Sequence, residues 1–143
     1  MTTKAQLGYS SQLQRGDGVA PPNEGFTTIG EVTSIKGPDQ KRDMKDATNM
    51  QSPGSAKEFI AGLKDNGTLS FDISWVPGDV QHDGLQADFD NGTLRNFKIV
   101  LPVVLGKTIS FAALVESLSG SIPVEDKITR TIGLRVSGAI TIA

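Results

Sequence analysis

A chain of 143 residues carrying 14 Lys and Arg against 16 Asp and Glu has room for one domain, and its formal net charge of −2 leaves no basic footprint for gripping phosphate. The absence of cysteine excludes disulfide frameworks, thiolate zinc sites and thiol nucleophiles together. No stretch approaches the ~18 apolar residues a membrane-spanning helix needs. Residues 1–8 lack the apolar core of a signal peptide, so the expectation is a product made and folded in a cytoplasm. The 16 glycines exceed the usual share of about 7%, which suits a β protein with many turns and a surface partly covered by neighbours.

Residues 1–25 are polar and broken by Gly16, Gly18, Pro21 and Pro22, and read as an arm laid over a surface. A first strand is expected over residues 26–35, although Gly30 and Glu31 spoil its alternation. Residues 36–55 follow as a long loop, punctuated by Gly37-Pro38 at one end and Pro53-Gly54 at the other. Connections in compact domains usually take ~4–6 residues, so a polar excursion of this length stands out. A short strand over 57–61 leads through Asn66-Gly67 into the clearest period-two pattern of the chain. There Leu69, Phe71, Ile73 and Trp75 alternate with Thr68, Ser70, Asp72 and Ser74, giving one apolar and one small polar face.

Residues 79–90 predict a helix. Asp79 can cap it, Asp83 suits its positive end, Leu85 and Phe89 share a face, and Asn91-Gly92 stops it. Three further strands are expected over 94–101, 107–118 and from about 128 onward, with Ile128, Ile132, Leu134 and Val136 on one side of the last. The order predicts a mainly β fold: one domain over residues 1–143, a β-sandwich or barrel with one flanking α-helix and a long loop.

Apparent chemical signatures fail on inspection. Gly106-Lys107-Thr108 resembles the end of a phosphate loop, but Leu101 stands where the first glycine belongs and no helix follows. Asp88 to Gly92 hints at a calcium loop, yet Ile99 occupies the position of the bidentate Glu. The single His82, beside Asp83 on a polar helix, reads as solvated, and Asp88 and Asp90 point apart on a helix. No catalytic residue, metal site or cofactor is expected, and no enzyme. The charged run Asp39, Lys41, Arg42, Asp43, Lys45 and Asp46 has two readings: a solvated excursion, or a docking element that orders against another subunit.

Several segments, taken in order, resemble the major tail tube proteins of long-tailed phages. They are Gly8-Tyr9 through Gly16-Asp17-Gly18, leading to Phe26-Thr27-Thr28-Ile29-Gly30-Glu31-Val32-Thr33; then Gly37-Pro38 and Lys45-Asp46-Ala47-Thr48-Asn49-Met50. The run from Glu58 through Gly62-Leu63-Lys64-Asp65-Asn66-Gly67 to Phe71 follows, and finally Ile122-Pro123-Val124-Glu125-Asp126 with Ile128-Thr129-Arg130. The resemblance extends from about Gly8 to Ile142. Its weight comes from order and spacing rather than from a catalytic signature.

The resemblance implies a structural virion protein whose hexameric rings stack into the hollow tail tube that conducts DNA from capsid to host cell. Its partners would be further copies of itself, tail tip and terminator proteins, and DNA passing through without specific binding; no membrane is implied. It also tips the long loop towards inter-ring docking through Asp39, Lys41, Arg42, Asp43, Lys45, Asp46, Thr48 and Met50. The small polar face Thr68, Ser70, Asp72 and Ser74 is the candidate lumen lining, with an outward position as the other option. A secreted ligand- or carbohydrate-binding sandwich is the alternative. It would want exposed aromatics, and the chain has one Trp and one Tyr.

Overall fold

The computed structural model describes residues 3, 6–19 and 23–143. Among them lie nine strands and one α-helix. The strands are β1 (Gln12–Gly16), β2 (Phe26–Thr28), β3 (Val32–Lys36), β4 (Lys41–Asp46), β5 (Phe59–Asp65), β6 (Thr68–Ser74), β7 (Arg95–Val100), β8 (Thr108–Ser121) and β9 (Thr129–Ile142); the helix, α1, spans Val80–Asn91. Seven strands form one antiparallel sheet in the order β2-β1-β7-β8-β9-β6-β3, and β4 pairs only with β5. The expected mainly β chain with one helix is therefore what forms.

The sheet curls on itself. Its two outermost strands, β2 and β3, are joined by residues 29–31 alone. Four chain steps reach at most roughly 14 Å, whereas the ends of a flat seven-stranded sheet stand about 29 Å apart. Curling places core apolar residues of β1, β6, β7, β8 and β9 on one interior: Leu13, Phe71, Phe97, Phe111, Ile132 and Leu134 are all nearly inaccessible. The period-two pattern of β6 is realised residue by residue, with Leu69, Phe71 and Ile73 buried and their neighbours half-buried.

Four expectations need correction. The strand expected over 26–35 is two strands, because the chain must pass from one end of the sheet to the other; Glu31 takes a positive φ of 63° at that passage, and Ile29 is buried with its N–H donating to the Leu13 carbonyl at 2.8 Å. The N-terminal arm is only partly an arm: residues 12–16 are β1, whose Leu13 is fully buried and pairs opposite Ile99. Pro21 and Pro22 lie outside the described residues. The excursion 36–55 contains β4, and β5 is longer than the short strand expected.

The fourth concerns His82. It is buried, not solvated, at 1% exposure. Its Nδ1 accepts the Val76 N–H at 3.1 Å, which puts the ring proton on Nε2, facing the Gly30 carbonyl at 2.8 Å. The buried stripe of α1 is thus His82, Leu85 and Asp88, while Phe89 stays 42% exposed. Asp79 caps the helix as expected, accepting from the N–H groups of Gln81 and His82, and Gly92 closes it in the left-handed conformation.

Candidate assembly surfaces

Where the inner face of the sheet runs out of apolar residues, arginines continue it. Arg15 follows Leu13 on β1 and Arg95 precedes Phe97 on β7, and both converge on Asp88 of α1 at 2.8 and 2.9 Å. Arg15 also donates to the Gly84 carbonyl at 3.3 Å. A side chain at Gly84 would stand 2.8 Å from that guanidinium, which is why a glycine occupies mid-helix here. Arg130 of β9 lies over the Trp75 ring, 4.8 Å from its centroid, and donates to Gln86 of the helix. The helix is thereby locked across one end of the curled sheet by charge-assisted hydrogen bonds. Among the described residues no group of three or more His, Asp and Glu is arranged to hold a metal ion.

The outward face of β6 belongs to a wider polar surface. Ser34, Asp72, Thr131 and Ser119 lie side by side on β3, β6, β9 and β8; the next row along holds Ser74, Thr129 and Ser121, and the next on the other side Lys36, Ser70, Gly133 and Ser117. The Thr131 hydroxyl donates to Asp72 at 2.6 Å and the Ser34 hydroxyl at 3.0 Å. Those two bonds hold the Asp72 carboxyl below the ordinary carboxylate value. In a further row Thr68 faces Arg135, whose Nη2 donates to both carboxylate oxygens of Asp65, at 2.8 and 3.0 Å. The Asp65 carboxyl is also held low, first by the Gly67 N–H and then by Arg135. Thr68, Ser70, Asp72 and Ser74 therefore share one continuous surface with hydroxyls from three other strands. Sequence alternation found the β6 residues but could not supply the strand order that gathers the rest.

The hairpin β4–β5 is the second surface. Every residue of β4 is exposed, as is every residue of β5 except Gly62. Lys41 pairs opposite Asp65, Arg42 opposite Lys64 and Lys45 opposite Ile60, with an irregularity at Asp43. Asp39 stands before the hairpin, its N–H donating to the Thr68 carbonyl at 3.1 Å. Beyond β4, Asp46 accepts the Thr48 N–H at 2.8 Å, and Thr48 and Glu58 exchange hydrogen bonds between hydroxyl and backbone. Met50 at the far end is fully exposed. The charged residues singled out in sequence are thus on one projecting element. Sequence reading missed its apolar members, Met44, Phe59, Ile60 and Leu63, all more than half exposed; apolar residues in a strand pattern are read inward by default.

A curled antiparallel sheet with one locking helix, an exposed hairpin and polar outer rows is the frame that carries these surfaces. The chain belongs to the lambda phage tail tube protein family, whose sequence profile matches residues 13–143. Solved structures share the fold. The chain is similar to a subunit in the tail of an empty gene transfer agent particle, refined with six-fold symmetry (TM-score 0.77, 16% identity, covering 97% of this chain and 99% of that one). It is also similar to the SPP1 tail tube (TM-score 0.72, 15% identity, 95% and 77%) and to a chain of an extracellular contractile injection system sheath–tube complex (TM-score 0.70, 16% identity, 98% and 92%). No curated protein matches it in sequence. Its family is one of structural tail tube proteins.

Proposed function

We propose that six copies of this chain close into a ring, that rings stack into the hollow tube of a virion tail, and that the β4–β5 hairpin fastens each ring to the next. The observation that carries the reading is the hairpin itself. A lone two-stranded hairpin is marginal in water, and this one exposes Met44, Met50, Phe59, Ile60 and Leu63 while pairing with no other strand among the described residues. Apolar surface of that kind is covered in the working state. A second copy is the fitting cover, because solved structures of the same fold include a gene transfer agent tail and an anti-feeding prophage baseplate, both with six-fold symmetry. Assembly would take place in the host bacterial cytoplasm, with terminator and tip proteins ending the stack.

The row surface around Asp72 is our candidate lumen wall. It offers DNA small hydroxyls and a carboxylate; its Arg135 is already held by Asp65, and Lys36 lies near Asp72. Phosphate would release few counterions from such a wall, so DNA could pass without being held. The test is to replace residues 42–64 with a short Gly/Ser link and view the product by negative-stain electron microscopy. The expected outcome is a folded chain that forms rings without stacking. Stacked tubes of ordinary length would show that the hairpin is not the fastener.

A further inference from the structure

Asn66, His82 and Asp88 are the buried polar side chains among the described residues. His82 and Asp88 hold the helix. Asn66 lies elsewhere, in the link by which the β4–β5 hairpin returns to β6. Its Oδ1 accepts from Nε2 of Gln40, the residue that leads into β4, at 3.0 Å, and its Nδ2 donates to the Gly138 carbonyl of β9. We propose that Asn66 is the positioning residue of the hairpin: by tying both of the hairpin's ends to β9 it sets the angle at which the hairpin leaves the sheet, and the stacking of rings depends on that angle. The inference rests on the hairpin's proposed role as fastener and names the residue that aims it.

The acceptor on β9 comes from an irregularity in that strand. The step from Ser110 to Ala112 on β8 is matched on β9 by the longer step from Thr141 back to Ser137. Residues 138–140 therefore bulge, and Gly138 takes a φ of +90°. A carbonyl can only accept, so the Asn66 amide must turn its nitrogen to Gly138; its oxygen then faces Gln40, whose amide nitrogen must answer. One backbone group thus orients both side chains. An aspartate at 66 would set a carboxylate oxygen against that carbonyl, acceptor against acceptor.

The other ties lie at the same root. The Gly67 carbonyl accepts the Val136 N–H, the Asp39 N–H donates to the Thr68 carbonyl, and Asp65 pairs with Arg135, both of them exposed. Of these ties only that of Asn66 joins both ends of the hairpin through a buried side chain. Two grooves meet at it, one of about 320 Å³ lined by Lys64, Val136 and Ala139 among others, and one of about 240 Å³ lined by Gln40, Lys41 and Arg42. Little packed matter opposes a tilt there. Strands of 6 and 7 residues reach roughly 20 Å, so a tilt of about 10° at the root moves the far end by about 3.5 Å. That is close to the whole length of a van der Waals contact. A hairpin with its apolar residues intact but misdirected would fail to seat.

Asn66→Asp keeps the shape and the bond from Gln40 but removes the donor to Gly138, and Gln40→Ala frees the other end by changing an exposed residue. His82→Leu is the control, since it weakens the fold at the helix rather than at the hairpin. Each full-length variant is titrated in concentration, rings and stacked tubes are counted by negative-stain electron microscopy, and the urea midpoint is measured beside them. Asn66→Asp and Gln40→Ala are expected to form rings but to need about tenfold more protein to stack, the scale of one unmet buried hydrogen bond. His82→Leu should stack at the parent's concentration even though its urea midpoint falls. Parent-like stacking by either hairpin variant overturns the proposal. So does an equal loss of stacking in His82→Leu, which would make Asn66 a residue of general stability only. If Asn66→Asp does not fold, Gln40→Ala decides alone. The fastener reading fails separately: it falls if the chain with residues 42–64 replaced still stacks, whatever the Asn66 variant does.

Discussion

Arg15 and Asp88, 73 residues apart in sequence, meet in a two-point contact: Nε donates to Oδ2 at 2.8 Å and Nη2 to Oδ1 at 3.0 Å. Arg95 Nε shares Oδ1 from the other side at 2.9 Å. One nearly inaccessible carboxylate therefore satisfies two guanidiniums and ties α1 to both β1 and β7. Removing the acid leaves two cations facing each other with little water to screen them. Asp88→Ala is expected to cost about 3 kcal/mol, in the range found for breaking buried ion pairs from one side. Urea denaturation measures it, and a loss below about 1 kcal/mol would mean the contact is not the helix lock.

His82 ties the same helix to the passage between β2 and β3. Its ring joins the Val76 N–H to the Gly30 carbonyl. His82→Leu stays close to the original volume but leaves a backbone donor and a backbone acceptor without partners, at an expected cost of about 2 kcal/mol. Hydrogen exchange should show the loss locally, with the Val76 amide exchanging faster than amides of β8 and β9.

Asp72 makes stability depend on pH with a definite sign. Hydroxyls of Thr131 and Ser34 bind its ionised form, so its folded pKa lies below the ordinary 3.8. A group shifted in that direction contributes stability above its unfolded value and loses it as pH falls through the lowered folded value. Asp72→Asn should therefore be less stable than the parent near neutral pH, and the two denaturation curves should converge on acidification below about pH 3.8. Because the group is accessible to solvent, salt should narrow the gap. An equal gap at acid and neutral pH would show that the ionised form gains nothing from the hydroxyls.

Which parts of this structure were legible in sequence follows from the range of the forces involved. The alternation of Leu69, Phe71 and Ile73 is a local response to one buried face, and it was readable as such. So was the helix, whose cap Asp79 and stop Gly92 lie within its own ends. What was hidden depends on long-range pairing. Nothing near Arg15 in sequence announces Asp88, so residues 12–16 read as a polar arm although Leu13 is core. His82 read as solvated because its partners, Gly30 and Val76, are backbone groups with no side-chain signature. The β4 residues read as loop because a strand exposed on both faces has no apolar period. The polar rows needed the strand order β8-β9-β6-β3, which no periodicity encodes.

Gly67 offers a last test, at the point where the hairpin leaves the body. Its φ is +70°, its carbonyl accepts the Val136 N–H at 3.0 Å, and a Cβ on it would stand 1.9 Å from the Asp39 carbonyl oxygen. Asp39 in turn anchors the start of the hairpin through Thr68. An alanine here faces both an unfavourable backbone conformation and a backbone atom that cannot move without dislodging β4. Gly54 separates the two effects: its φ is +64°, and nothing lies within 4 Å of where its Cβ would be. Gly54→Ala should cost about 1 kcal/mol for the conformation alone, and Gly67→Ala more than about 2 kcal/mol. Equal urea midpoints for the two variants would mean that Asp39 yields freely, and that the hairpin is not rooted at this turn.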